Sequence, residues 1–196
     1  MNPAGRPVFY YDLGSPYSYL AAERINSVLP EAPVWQPILL GALFKHFRRG
    51  SWSETDKRTD GMAEIERRAQ ERGLPPVRWP EPWPGNTLVA MRAATYAAQI
   101  GRAVSFSLAA FRQAFAAGRD LSDPENVLLA AAACELHPKA VLSAIESQGV
   151  KDALRAATDS AAERGVKGVP SVVIGEEVFW GDDRLEEAAR FLSETG

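Results

Sequence analysis

Two serines three residues apart form the tetrapeptide Ser15-Pro16-Tyr17-Ser18, shortly after the apolar run Val8-Phe9-Tyr10-Tyr11. This is the spacing of a Cys-Pro-x-Cys dithiol with both sulfurs replaced by oxygen. A serine cannot exchange disulfides, so dithiol redox chemistry is lost here. A serine hydroxyl can still donate a hydrogen bond to a thiolate carried by a bound small molecule. A helix beginning at this point would favour such an anion through its unpaired N–H groups. The same residues also suit a plain helix start, with Ser15 as the cap and Pro16 in the first turn. No G-x-S-x-G elbow surrounds Ser15, which argues against a serine-hydrolase nucleophile.

Two further features lie late in the chain. In Gly168-Val169-Pro170-Ser171 the Val-Pro bond is of the one type for which the cis form is energetically accessible. A cis proline would free the Val169 backbone to pair with an extended ligand. A trans proline opening an edge strand is the simpler use of the same dipeptide. Asp182 and Asp183 follow Phe179-Trp180-Gly181 at another helix start, where they could cap the helix or hold a ligand ammonium.

The elements that must position these groups follow from periodicity and punctuation. Val8–Tyr11 and 34–38 read as buried strands, and a helix is expected over 16–28, ended by Pro30 and Pro33. From Leu39 to about Ala162 Ala-rich helical periodicity dominates, with helices expected over 40–48, 55–72, 86–100, 103–117, 124–135, 138–146 and 149–163. Asp123-Pro124-Glu125 is a helix start, and Gly101, Gly118 and Gly149 mark expected stops or turns. Residues 74–85 carry five prolines in twelve residues and form an extended surface segment. Strand chemistry returns in 171–174 and 178–180 around Gly175-Glu176-Glu177, a hairpin signature, and a last helix covers about 184–192. The order is β-α-β, a helical block, α, then ββα. This predicts an α/β fold: a thioredoxin-like domain (1–38 and 149–196) interrupted by an all-helical insertion (39–148), with the site in the cleft between them.

Composition narrows the partners. With 196 residues, 46% hydrophobic, 24% charged and a net charge of -3 from interleaved signs, the chain reads as one globular protein. No basic stripe or aromatic–basic alternation points to nucleic acid, so the expected partner is a small molecule. No apolar run approaches the ~20 residues of a membrane span. Met1–Pro7 contains no apolar signal core, and a cytoplasmic location is expected. The single cysteine, Cys134, excludes an intrachain disulfide and reads as a buried apolar residue. His46 and His137 are too scattered for a metal site, and none is expected. Glu64 to Arg72 reads as a solvated helix face with Glu64–Arg68 pairing. Trp79 and Trp83 either wall an aromatic-substrate site or pin the proline-rich segment to the helical block.

Four stretches together resemble a known family. They are Phe9-Tyr10-Tyr11-Asp12 through Ser15-Pro16-Tyr17-Ser18-Tyr19-Leu20, Pro37-Ile38-Leu39-Leu40-Gly41-Ala42-Leu43-Phe44-Lys45, Gly165-Val166-Lys167-Gly168-Val169-Pro170-Ser171, and Phe179-Trp180-Gly181-Asp182-Asp183-Arg184-Leu185. The set resembles the 2-hydroxychromene-2-carboxylate isomerases and kappa-class glutathione transferases, on the DsbA-like thioredoxin fold. The resemblance implies glutathione as cofactor, with Ser15 hydrogen-bonded to its sulfur and Pro16 and Tyr17 lining that pocket. It implies that Val169, before Pro170, pairs with the cysteinyl backbone and that Asp182 and Asp183 lie near the γ-glutamyl end. Lys45 would meet a substrate carboxylate, and Asn86 and Thr87 are candidate substrate contacts. A bound thiolate adding reversibly to a conjugated, aromatic-derived substrate is the implied reaction, and a homodimer the implied assembly. The chain departs from the kappa-class pattern in one place. Those proteins carry a glutathione-binding asparagine a few residues after the lysine, whereas His46-Phe47-Arg48-Arg49-Gly50 follows here. Another low-molecular-weight thiol therefore stays open beside glutathione, as do a transferase and a non-catalytic thiol-binding protein beside the isomerase.

Overall fold

We describe residues 6–195 of a computed structural model. The chain ends assigned above to the first domain, 1–5 and 196, lie outside the described residues. Four short strands form one mixed sheet in the order β2-β1-β3-β4: β1 (Val8–Tyr11), β2 (Val34–Pro37), β3 (Ser171–Ile174) and β4 (Glu177–Trp180). β1 runs parallel to β2, with Val8 opposite Val34, and antiparallel to β3, with Val8 opposite Val173. All four β1 residues are buried. Both faces of this central strand are covered, which is why its sequence shows no polar alternation.

The two faces pack differently. Phe9 and Tyr11 face a large core shared with the helical block, whereas Val8 and Tyr10 face a smaller one built with Ala161, Ala162 and Val166. On the larger side, Tyr11 meets Trp35 edge-on at 5.5 Å and Phe111 at a tilt at 5.9 Å, and its hydroxyl pairs with Ser107 Oγ at 2.6 Å. Burial holds the Tyr11 phenol far above its usual pKa, so it remains a neutral hydrogen-bonding partner.

The expected helix over 16–28 is two helices, α1 (Pro16–Ala22) and α2 (Ile25–Val28). Five positions separate Leu20 from Ile25, so an unbroken helix would turn Ile25 well away from the face that buries Leu20. The break at Glu23 and Arg24 returns Ile25 to the core, where it is fully buried. Glu23 is in turn clamped by Arg112 at 2.7 and 2.8 Å.

Helices α3 (Leu40–His46), α4 (Arg58–Glu71), α5 (Leu88–Gln99), α6 (Ala103–Phe115), α7 (Pro124–Ala133) and α8 (Pro138–Glu146) make up the block, with a 3-10 turn at Trp52–Glu54 before α4. α9 (Gln148–Glu163) leads back to the sheet and α10 (Leu185–Thr195) closes the chain. Asp123 caps α7 through the Glu125 N–H at 2.9 Å, as its sequence suggests. The stop expected at Gly149 falls instead at Ser147, which ends α8 and caps α9 by accepting from the Val150 N–H. A serine in extended conformation can serve both helices, so Gly149 is not needed as a breaker. The hairpin turns at Gly175 and Glu176, and β4 begins one residue earlier than expected. Among the described residues, no helix is long and apolar enough to cross a membrane.

Phe111 links the two architectural parts, touching both Tyr11 and Tyr19 while fully buried. Phe111→Ala should lower the unfolding free energy by about 3–5 kcal/mol. The exposed Leu142→Ala should change it by less than ~0.5 kcal/mol. Urea denaturation of the two variants checks the contrast.

Candidate functional site

The site begins at the end of β1, where the chain must turn sharply into α1. Asp12 is 5% exposed, and its carboxylate accepts three hydrogen bonds. Gly14 N–H (2.8 Å) and Thr87 Oγ1 (3.0 Å) donate to one oxygen, and Leu40 N–H (2.9 Å) donates to the other. The β1–α1 loop, the start of α3 and the residue before α5 are thereby gathered around one buried group. Burial pushes the Asp12 carboxyl above the usual carboxylate range, and the three donors oppose that shift.

Ser15 follows as the cap of α1. Its backbone is extended (φ −93°, ψ 115°) and its Oγ accepts from the Ser18 N–H at 3.1 Å, with Pro16 in the first turn. The cap uses an oxygen lone pair only. The Ser15 hydroxyl proton has no acceptor among the described residues. Ser18 lies deeper: it is fully buried, and its hydroxyl has no partner among the described residues.

A cleft of about 570 Å³ opens over Ser15. Pro16, Tyr17, Thr87, Val169, Pro170, Asp182 and Asp183 all line it with Ser15. The Val169–Pro170 bond is cis, and neither backbone group of Val169 hydrogen-bonds within the described residues. Lys45 and Asn86 are exposed and lie outside the cleft lining. Asn86 instead accepts from the Leu88 N–H at the start of α5. The cation that α3 and its following turn bring to the cleft is Arg49. Arg48 adopts a left-handed conformation (φ 52°) beyond the end of α3 and redirects the chain just before it.

The two adjacent aspartates have separate fates. Asp182 is 1% exposed and held by α4: Arg68 Nη1 lies 2.7 Å from Oδ1. Arg72 Nη2 lies 2.6 Å from Oδ2, close enough for an ion pair but without hydrogen-bond alignment. Asp183 is exposed and forms no ion pair among the described residues. The expected solvated face of α4 is therefore corrected in part. Glu64, Arg68 and Arg72 stand four residues apart on one helical line; Glu64 pairs with Arg68 at 2.6 Å, and both arginines reach Asp182. That i, i+4, i+8 alignment was the available signal. The two arginines find their carboxylate over a hundred residues away, which no local pattern encodes.

Aromatic rings complete the lining. Tyr17 contacts Trp52 at 5.9 Å, Trp52 contacts Trp83 at 5.5 Å, and Arg68 lies 5.6 Å over the Tyr17 ring. Trp83 serves both roles considered for it. It lines the cleft, its carbonyl accepts from Arg58 of α4, and its indole N–H donates to the Gly14 carbonyl at 3.3 Å, so it pins the proline-rich segment both to the helical block and to the β1–α1 turn. Trp79 donates to Glu66 and packs on Trp83, away from the cleft lining. Burial raises the Tyr17 phenol pKa, partly offset by Arg68, so the phenol is neutral at ordinary pH. Cys134 is buried, with its thiol directed to the Ala130 carbonyl.

The DSBA-like thioredoxin domain family matches residues 8–193. The chain belongs to this family. The chain is 28% identical over 194 residues to the 2-hydroxychromene-2-carboxylate isomerase of Sphingobium xenophagum, covering 94% of this chain and 96% of that protein. The solved structure of a 2-hydroxychromene-2-carboxylate isomerase superposes with a TM-score of 0.87 at 22% identity, covering 96% and 94% of the two chains. A probable DsbA oxidoreductase from Streptomyces coelicolor superposes at 0.77 and 19% identity, covering 98% and 91%. The fold of this DSBA-like member is accordingly a thioredoxin domain carrying a helical insertion.

Two substitutions test the scaffold of the site. Asp12→Asn keeps the volume but turns an amide N–H₂ toward at least one of three N–H or O–H donors. It should cost about 2 kcal/mol, read as a fall in Tm of roughly 4–8 °C. Asp182→Ala leaves the half-buried Arg68 and Arg72 without their shared carboxylate and should cost about 2–3 kcal/mol in urea unfolding. Arg72→Met combined with Asp182→Ala should recover part of that loss.

Proposed function

We propose that this chain is a glutathione-dependent isomerase of the 2-hydroxychromene-2-carboxylate isomerase type. The observation that carries the reading is the Ser15 hydroxyl. Its oxygen caps α1 while its proton is left without an acceptor among the described residues, beneath a cleft wide enough for a small peptide and an aromatic ring. The similarity to the Sphingobium xenophagum isomerase over nearly the whole chain supports the reaction class.

The residues present fit a thiol peptide. Ser15 offers one donor to a sulfur, and Val169 offers an unpaired N–H and C=O to a cysteinyl backbone. Asp183 offers a free carboxylate to a γ-glutamyl ammonium, with Asp182 behind it already committed to arginines. When bound, glutathione would supply a thiolate able to add to a conjugated carbon and leave again.

The chain's own residues then have defined tasks. Ser15 donates its proton in a hydrogen bond and so favours the ionised thiol over the neutral one. Pro16 and Tyr17 shape the wall beside it, and the neutral Tyr17 phenol is a second available donor. Trp52 and Trp83 present apolar ring surface to an aromatic-derived substrate and exclude water, which strengthens each hydrogen bond made inside. Thr87, fixed by Asp12, lines the same space. Catalysis on this reading is the lowering of a thiol pKa together with placement of the electrophile.

Ser15→Ala should reduce glutathione-dependent turnover of a chromene carboxylate about tenfold or more, the worth of one charge-assisted hydrogen bond at ~1.5–3 kcal/mol. Turnover assays with a parallel titration of the bound thiol check this, and unchanged values in both would remove Ser15 from the chemistry. Calorimetry with glutathione tests the cofactor directly, since absence of binding would exclude it. A stable conjugate accumulating in place of the isomer would turn the reading to a transferase.

A further inference from the structure

Two guanidinium groups line the cleft, and only one of them is paired with a carboxylate of the described residues. Arg68 is shared between Asp182 and Glu64. Arg49 has no carboxylate within ion-pairing distance among the described residues, and its one hydrogen bond to protein is a long 3.5 Å contact to the Lys167 carbonyl. Although exposed, it is restrained by an aromatic contact. Its guanidinium lies 4.7 Å from the centre of the Trp180 ring. Trp180 in turn lies flat against Gly168: a Cβ at that position would stand 2.7 Å from three indole atoms. The next residue is Val169, whose backbone groups are unpaired.

Gly168, Trp180 and Arg49 therefore form one continuous stack beside the backbone that an extended ligand would pair with. We propose that Arg49 is the carboxylate-binding residue of this cleft, receiving the carboxylate of a ligand seated against Val169. The inference deepens the function proposed above and rests on the cleft being its ligand site. A cation–π contact with an indole restrains where the guanidinium sits, and its planar fork matches a carboxylate bidentately. Part of the ordering a flexible cation would undergo on binding is thus already done. A doubly charged phosphate would suit the cleft less well, because Glu54, Asp182 and Asp183 line the same space. A single carboxylate on an apolar or peptide body avoids that repulsion. Lys45, one helical turn earlier, lies outside the lining and leaves this task to Arg49.

Two ligands in the proposed reaction carry such a group: glutathione, of whose two carboxylates the glycyl one is the candidate because the γ-glutamyl end is given to Asp183, and the aromatic acid. Calorimetry on the wild type and Arg49→Gln, with two acid/neutral pairs, separates them. The pairs are glutathione against its glycyl monoethyl ester, and chromone-2-carboxylate against its amide. The expected result is that the wild type binds at least one acid about tenfold or more tightly than its neutral partner. Arg49→Gln should erase that preference while leaving the neutral partner's affinity within about twofold and the Tm unchanged. The pair that responds identifies the source of the carboxylate. No preference in either pair, or a preference that survives Arg49→Gln, overturns the assignment. Glutathione binding that ignores Arg49→Gln, with no chromone preference, overturns Arg49 and leaves the thiol reading intact. Absence of glutathione binding beside an Arg49-dependent chromone preference does the reverse.

Discussion

A carboxylate at the end of β1 accepts hydrogen bonds from its own turn and from two distant parts of the chain. Asp12 takes the Gly14 N–H from its own turn, the Leu40 N–H from the start of α3 and the Thr87 hydroxyl from the entrance of α5. Leu40 and Thr87 stand at helix starts, where N–H groups lack intrahelical acceptors and an anion is favoured. The carboxylate is buried while its three donors are half-buried at the edge of the cleft, so losing the carboxylate strips all three of their shared partner. The cleft is the space these elements leave when held at that point. Ser15 is positioned by the same turn, since its backbone N–H bonds to the Asp12 carbonyl at 3.0 Å.

A second constraint comes from α4. Its arginines pull Asp182 inward and fasten the β4–α10 connection to the helical block. Gly181 N–H, one residue earlier, bonds to the Pro170 carbonyl at 2.9 Å, so this fastening also steadies the cis-proline loop. Arg68 lies at the same time over Tyr17. One guanidinium thus connects the turn that carries Ser15 with the loop that carries Val169, and movement of either would disturb an ion pair that is mostly out of water.

Much of this was legible in the sequence where local chemistry decides the outcome. β1 is a run of β-branched and aromatic residues, Ser15-Pro16 is a helix start, Asp123-Pro124 is another, and each lies where its residue types require. The misreadings occur where a distant partner decides. The break between α1 and α2 is set by the need to bury Ile25, and Glu23 at that break is held by Arg112 of α6. Arg68 and Arg72 look like surface charges because their shared carboxylate comes from the far end of the chain. Lys45 is the cation that the family resemblance implies, but α3 stops at His46 and the left-handed Arg48 changes the direction of the backbone. A non-glycine residue in that conformation costs roughly 1 kcal/mol, and nothing in its side chain announces it.

The two serines of the tetrapeptide are finally unequal, and the inequality bears on chemistry. Ser18 is sealed inside α1 with a hydroxyl that meets no partner among the described residues, so it has no route to a ligand. Ser15 is also mostly buried, but it borders the cleft and its proton is uncommitted. A helix cap and a thiol-binding hydroxyl are often treated as competing explanations for a serine in this place. Under the function proposed above they would use different parts of one oxygen: the lone pair receives the Ser18 N–H, and the uncommitted proton would face the anion. Capping fixes the side-chain rotamer in advance, and a donor fixed in advance loses less entropy when the anion arrives. On the proposed function, the capping of α1 by Ser15 would prepare its role toward the thiol.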